Sequence, residues 1–399
     1  MTIDVPALRA QFPSLASGIA HFDGPGGTQT PRAVGEAIAA TLTQPLSNRG
    51  SLVVSERNAD AAVVAFRSAM ADLLGADPRG IVYGRSATQL VYDFSRHLAK
   101  RWGAGDEVVV SRLDHDANVR PWLQAAARAG ATVRWLELDP TTADLDLDAL
   151  DAVITDRTRL VAVTAASNLL GTKPDLARIA ARAHEVGALV FVDGVHYAAH
   201  AAVDVRALGA DLFVCSPYKF FGPHCGVLAA DPALLETIEP DKLLPSTNAV
   251  PERFELGTLP YELMAGATAA VDVIASLAPV DGTRRERLLA AHHAIEQHEL
   301  RLRTRLEEGI RALDGIALHS VAADRTPTLF LTFAGRDAAD ASRSFASEGI
   351  HAPAGTFYAH EPFQALGLDV EHGLRVGLAP YSDDADVDRL LAALSAFVR

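Results

Sequence analysis

Cysteine is nearly absent from this chain. Its 399 residues hold only Cys215 and Cys225, too few for a disulfide framework or, by themselves, for a four-ligand zinc site. No metal is expected. Lysine is almost as scarce, standing only at positions 100, 173, 219 and 242, so that the basic residues are nearly all arginine. Positive charge is short overall: the formal net charge is −14, and no Lys/Arg cluster overrides that average. Nucleic acid and anionic membranes are therefore not expected partners. No apolar run reaches membrane-spanning length, and the polar start Met1-Thr2-Ile3-Asp4 is no signal peptide. The expected compartment is the cytoplasm. Internal repeats and low-complexity linkers are missing too.

What is present is ordinary for a globular enzyme, with 49% hydrophobic and 22% charged residues. The length exceeds one ordinary core and points to two closely joined domains. From residue 81 to about 215, apolar strand-like runs alternate with helical patterns, which predicts an α/β fold with a mostly parallel sheet covered by helices. Strands are expected at residues 81–83, 107–111, 132–136, 160–166, 188–192, 212–215 and 225–229. Helices are expected at 5–11, 31–42, 56–74, after Gln89 to 99, after Asn118 to 129, 147–154 and 176–186. From about Pro260 the pattern changes to long helical runs, 261–277 and 284–313, followed by short strands (328–332, 374–378) and helices (338–348, 384–398). This predicts a smaller α+β domain. The expected division is a large domain over 21–259 and a small one made of 1–20 and 260–399.

Of the four lysines, Lys219 alone follows a buried-type strand and precedes Phe220-Phe221-Gly222. The strand at 188–192 carries Asp193 at its C-terminal tip, 26 residues before Lys219. That interval accommodates a crossover to a neighbouring strand. Both groups then reach the sheet end where open α/β sheets place ligands. An acid and a lysine so placed suit pyridoxal phosphate (PLP): the lysine amine holds the aldehyde as a Schiff base, and the carboxylate keeps the ring nitrogen protonated. His196, three residues past Asp193, could face the ring hydroxyl, and the freed Lys219 amine would shuttle the proton at the substrate Cα.

Other segments could complete such a site. Gly84-Arg85-Ser86-Ala87-Thr88-Gln89 opens a helix after a strand, where backbone N–H groups meet anions, although a plain N-cap explains Ser86 or Thr88 equally well. His115 follows the 107–111 strand and suits ring stacking or acid/base work, or simply a surface loop. Asn168 can offer its amide to a ligand or merely form a turn. The glycine-rich turn Gly24-Pro25-Gly26-Gly27 permits unusual backbone angles or close approach of a ligand. It lacks the G-x-G-x-x-G spacing of a nicotinamide-binding turn, and no other stretch supplies it.

With these residues in view, the chain resembles the class V aminotransferase and cysteine desulfurase family of fold type I PLP enzymes over nearly its whole length. Asp193-Gly194-Val195-His196 resembles the family's Asp-x-x-Gln/His, and Ser216-Pro217-Tyr218-Lys219 its Ser-x-His-Lys. The resemblance implies that His115 stacks on the cofactor ring, that Asn168 contacts the cofactor, and that Ala87, Thr88 and Ser216 hold its phosphate. It implies that Thr258, in Arg253-Phe254-Glu255-Leu256-Gly257-Thr258, reaches the phosphate of a neighbouring subunit, hence a homodimer with shared active sites. Arg375 falls where the family binds a substrate α-carboxylate, and Asn48, more loosely, on the substrate side.

One stretch departs from the family. Desulfurases carry a nucleophilic cysteine on a loop matching residues 349–359, and here Tyr358 stands at about that position. A tyrosine cannot carry a persulfide. The expected activity is a desulfurase-like PLP enzyme acting on a small α-amino acid through an external aldimine, as a β-eliminating lyase. The alternatives are a class V aminotransferase and, further off, a non-catalytic PLP-binding protein.

Overall fold

The structure, a computed structural model, describes residues 3–399. After α1 (Val5–Arg9), β1 (Ala20–His21) leads into the glycine-rich turn, then α2 (Arg32–Thr43) and α3 (Val54–Leu74). α3 stops where Gly75 takes φ +65° as its C-cap, a left-handed conformation that glycine adopts without cost to a Cβ. Alternating elements follow: β2 (Ile81–Gly84), α4 (Ala87–Ala99), β3 (Glu107–Ser111), α5 (Arg120–Ala129) and β4 (Thr132–Leu136). A small hairpin, β5 (Leu138–Asp139) and β6 (Asp144–Leu145), precedes α6 (Leu150–Val153), β7 (Thr158–Thr164), α7 (Leu176–Glu185) and β8 (Leu189–Asp193). The chain continues through β9 (Leu212–Cys215), β10 (Gly226–Ala230), α8 (Pro232–Thr237), α9 (Tyr261–Ala275) and the 28-residue α10 (Arg284–Arg311). It ends in β11 (Ile316–Leu318), β12 (Thr328–Phe333), α11 (Ala338–Ser347), β13 (Ile350–His351), β14 (Ala354–Gly355), α12 (His360–Ala365), β15 (Gly373–Gly377) and α13 (Asp384–Val398).

The large sheet has seven strands in the order β2-β10-β9-β8-β7-β3-β4. β10 is antiparallel to both its neighbours, and every other pairing is parallel. Successive side chains of a strand point to opposite faces, and here both faces are covered. Val108 and Val110 pack with α4 and α5, whereas Val109, Val161 and Val163 face the core shared with α3, α7 and α9. That double burial is why the strands read as unbroken apolar runs. The smaller sheet, β11-β12-β15-β14, is antiparallel.

The expected division at residue 260 coincides with no break in packing. α9 packs on α2 and α3, and Leu288, Ala291 and Ile295 of α10 belong to the core of the large sheet. Leu302, Leu306 and Ile310, further along α10, belong instead to the core of the small sheet, together with Ala20 and Phe22. The two cores divide within one continuous helix, which change of residue pattern alone does not reveal. The expected 147–154 helix is also shorter, a 3-10 turn running into α6.

One contact ties the fold to the site. A Cβ on Gly226 would lie 2.4 Å from the Ser86 carbonyl carbon and 2.6 Å from the Ala87 nitrogen, so only glycine lets β10 approach the start of α4. Gly226→Ala should cost about 1–3 kcal/mol of unfolding free energy through overpacking, read from urea denaturation. An unchanged midpoint would contradict this packing.

Candidate active site

The C-terminal ends of β8 and β9 bring Asp193 and Lys219 into one cleft beside the N-terminus of α4. A cavity there is lined by Ala87, Thr88, His115, Asn168, Asp193, His196, Ser216 and Lys219. An outer cleft shares Thr88, His115, Asn168 and Lys219 with it and adds Pro25, Phe357, Tyr358 and Arg375. Ten of the twelve expected site residues therefore meet in one connected space.

Asn48 and Thr258 do not. Both are exposed, Thr258 Oγ1 lies 3.4 Å from Asn48 Oδ1, and Thr258 borders a separate depression formed with Tyr83, Arg85 and Leu243. Within one chain, Asn48 does not line the cleft, because the loop before α3 lies against the Thr258 segment.

Burial governs the electrostatics. Desolvation raises the Asp193 carboxyl to about 6, although its Oδ1 accepts a hydrogen bond from the Val195 N–H at 2.9 Å. Desolvation first, and repulsion from Arg375 second, lower the Lys219 amine to about 7 against the partial support of Asp193. Lys219 Nζ donates to the Pro25 carbonyl and lies 4.9 Å from the centre of the Tyr218 ring. His115, lowered to about 4 by desolvation and then Lys219, is neutral, and its Nδ1 accepts from the Ala117 N–H at 3.0 Å. Its proton therefore sits on Nε2. His196 is fully buried with Nε2 held by Thr326 Oγ1 at 3.0 Å and Thr328 Oγ1 at 2.9 Å.

Arg375 is buried at 4% exposure and has no carboxylate partner among the described residues. Its guanidinium donates to the Asn168 carbonyl at 3.2 Å and lies 3.9 Å from the centre of the Phe357 ring. Burial lowers it to about 9, still charged at neutral pH. Phe357 and Tyr358 both adopt positive φ, +58° and +55°, strained for side chains of this size. The Phe357 carbonyl accepts from Asn168 Nδ2 at 3.0 Å, and the Tyr358 carbonyl from the Asp116 N–H at 2.7 Å.

Some contributors are not visible in the sequence motifs. The Pro25 carbonyl and the Phe357 ring act through tertiary contacts alone. Asp114 backs the site: fully buried and raised to about 8 by desolvation, it accepts from Ser111 Oγ, from Asn118 Nδ2 at 2.7 Å and from the Thr164 N–H at 3.1 Å. Its place between strand and His115 was the available signal.

The residues fit PLP. Asn168 Oδ1 is buried and meets no donor among the described residues. Ala87 and Thr88 of the first turn of α4 line the cavity, and their N–H groups have no partner within the helix while the Ser86 hydroxyl caps Gln89, which suits an anion. The buried Asp193 carboxyl suits a protonated ring nitrogen.

The comparisons with known proteins agree with this geometry. The class-V aminotransferase family profile matches residues 20–390. The chain is 34% identical to an uncharacterized protein of Mycobacterium tuberculosis, covering 99% of this chain and 100% of that one. It is 31% identical to the aminotransferase-like protein FGM3 of Gibberella zeae, covering 98% of each. The crystal structure of the cysteine desulfurase CsdA of Escherichia coli superposes with a TM-score of 0.87 at 30% identity, covering 99% of this chain and 98% of that one.

The Lys219 amine is expected to lose its proton near pH 7 rather than at its ordinary 10.5. Because burial disfavours the charged form, the neutral, nucleophilic amine is gained as pH rises through 7. The rate at which cofactor-free protein captures added PLP, followed by visible absorbance, should rise through that pH and level off above it. A rise centred about three units higher would contradict the burial argument.

The chain belongs to the class-V aminotransferase family, with the fold type I architecture of the cysteine desulfurases, and pyridoxal phosphate is the cofactor that this membership assigns to it.

Proposed function

We propose that the protein is a PLP-dependent lyase that eliminates a β-substituent from a small α-amino acid, and that it works without a sulfur relay. The observation that carries the reading is Arg375: a buried guanidinium without an anionic partner, in the same cleft as Lys219, suits a substrate α-carboxylate held by a two-pronged hydrogen bond.

Bound PLP supplies an electron sink for a bond broken at the substrate Cα. Lys219 carries the aldehyde at rest and, near neutrality, has an amine able both to take and to return the Cα proton. Asp193 would hold the ring nitrogen, neutral His115 would cover the ring, and His196 and Asn168 would lie beside it. The Ala87 and Thr88 N–H groups with the Thr88 and Ser216 hydroxyls would take the phosphate. Tyr358, 77% exposed with its ring 5.6 Å from that of His115, stands at the mouth, where it gates entry or protonates the leaving group.

Two observations support the absence of a sulfur relay. The loop that would carry a cysteine presents Tyr358, and its backbone is pinned to Asn168 and Asp116. Cys215 and Cys225 are buried and free, and desolvation pushes the Cys225 thiol up to about 12 and the Cys215 thiol higher still. Neither suits a thiolate nucleophile. Reduced, buried cysteines also suit a cytoplasmic protein.

The functional unit in this reading is a homodimer with shared active sites. Leu52, Leu243, Leu244 and Leu256 are exposed around the Asn48–Thr258 contact, with Leu244 at 98%, an apolar surface suited to a second subunit. Thr258 would then reach the neighbouring phosphate and Asn48 the neighbouring substrate side.

The likeness to an aminotransferase-like protein favours amino transfer as the second reading. The two separate by product. With a screen of small amino acids, elimination releases keto acid and ammonia without an added keto-acid acceptor, and it survives Cys225→Ala; strict dependence on an acceptor would sink the lyase reading. Arg375→Ala should raise KM by roughly 30- to 1000-fold, about 2–4 kcal/mol for a lost buried charged contact, while the bound cofactor stays coloured. Loss of cofactor in that variant would contradict the carboxylate role.

A further inference from the structure

A second cluster of chemistry-bearing side chains lies behind the substrate cleft, and the cofactor reading does not use it. β1 and β13 pair in parallel, with His21 opposite His351. Because strand side chains alternate, His21 and Asp23 share one face while Phe22 between them points into the small core. The segment continues as a bridge from Asp23 to Gly377 of β15, so backbone pairing fixes all three polar residues on one surface.

Their ligand atoms converge. His21 Nδ1 lies 3.2 Å from Asp23 Oδ1, His351 Nδ1 lies 3.8 Å from Asp23 Oδ2, and all three ligand atoms are within 4.8 Å of one another. The imidazole rings meet edge to face with centroids 5.3 Å apart. Gln29 Nε2, 3.3 Å from the same His21 nitrogen, adds a polar rim. His21 and Asp23 are within hydrogen-bond reach, while His351 stands off that pair at a separation that exceeds a hydrogen bond. Metal–donor distances of about 2.0–2.2 Å place donors of a tetrahedral ion roughly 3.3 to 3.6 Å apart; the His21–Asp23 pair has about that spacing, and His351 would reach it by a small side-chain shift. His21 is buried at 7% side-chain exposure, while His351 at 40% leaves a way in.

We propose that His21, Asp23 and His351 form a binding site for a divalent transition-metal ion of the zinc type, with an open fourth position for water. Two imidazoles and one carboxylate suit such an ion, whereas calcium and magnesium take oxygen ligands. The site is independent of PLP chemistry but mechanically joined to the cleft. Asp23 begins the turn whose Pro25 carbonyl accepts from Lys219, and a Cβ on Gly26 would lie 3.5 Å from the Arg375 guanidinium. A bound ion clamps β1, β13 and this turn together.

The test uses the metal-stripped, PLP-loaded protein. Titration with Co2+ should develop ligand-field absorbance at longer wavelength than the cofactor band, reaching saturation at about one ion per chain, and Zn2+ should displace it and raise the melting midpoint. His351→Ala, and the milder His351→Gln at this half-exposed position, should weaken binding by about 100-fold or more while retaining cofactor colour. His21→Ala should do the same. Failure of the wild type to bind, or binding unchanged in both His351 variants, would overturn the proposal, the latter by placing the ion on other surface histidines.

Discussion

Keeping an amine and a carboxylate out of water is costly, and the large sheet is arranged to do both within one cleft. Lys219 and Asp193 sit at the ends of adjacent parallel strands whose faces are covered on both sides. Desolvation moves them toward each other, the lysine down to about 7 and the acid up to about 6. Their mutual attraction is the lesser effect on each. A site so dehydrated prepares the amine for reaction near neutrality, and it makes a protonated heterocyclic nitrogen a better partner for Asp193 than water can be. The neighbouring features follow from this constraint: neutral His115, His196 held by two threonines, and Arg375 left without an internal counter-ion.

Much of this was legible in the sequence because buried parallel strands leave a strong signature. The runs ending at Asp193 and Cys215 are apolar at every position, so the residues just beyond them had to emerge at one sheet end. Ser86 to Thr88 were legible as a helix start for the same reason. Segments brought together by the fold alone were not. Phe357, just past β14, meets Arg375 of the neighbouring β15, and Pro25 reaches Lys219 from 194 residues away. The division between cores within α10 leaves no mark either, since the helix keeps one amphipathic pattern while its partners change. Asn48 and Thr258 lie together away from the cleft of their own chain, and the resemblance assigned Thr258 to a neighbouring subunit in the first place.

The loop at residues 356–359 is held in place, which bears on the proposed absence of a sulfur relay. A persulfide carrier must swing between substrate and acceptor. Here two consecutive residues in left-handed conformations have their carbonyls held by the Asn168 side-chain amide and the Asp116 N–H, in the loops after β7 and β3. Strain of that kind persists only where the surroundings over-determine it, and Phe357 uses it to roof Arg375. In the proposed reading the same loop lines the substrate pocket and carries no relay.

Every functional statement rests on Lys219 as the residue that carries the cofactor. Borohydride reduction of the purified, coloured protein followed by peptide mapping tests this most directly. The account predicts one pyridoxyl label per chain, on Lys219, and a Lys219→Ala protein that takes up no such label. A label on Lys100, Lys173 or Lys242, or a protein that stays colourless with added PLP, would contradict it.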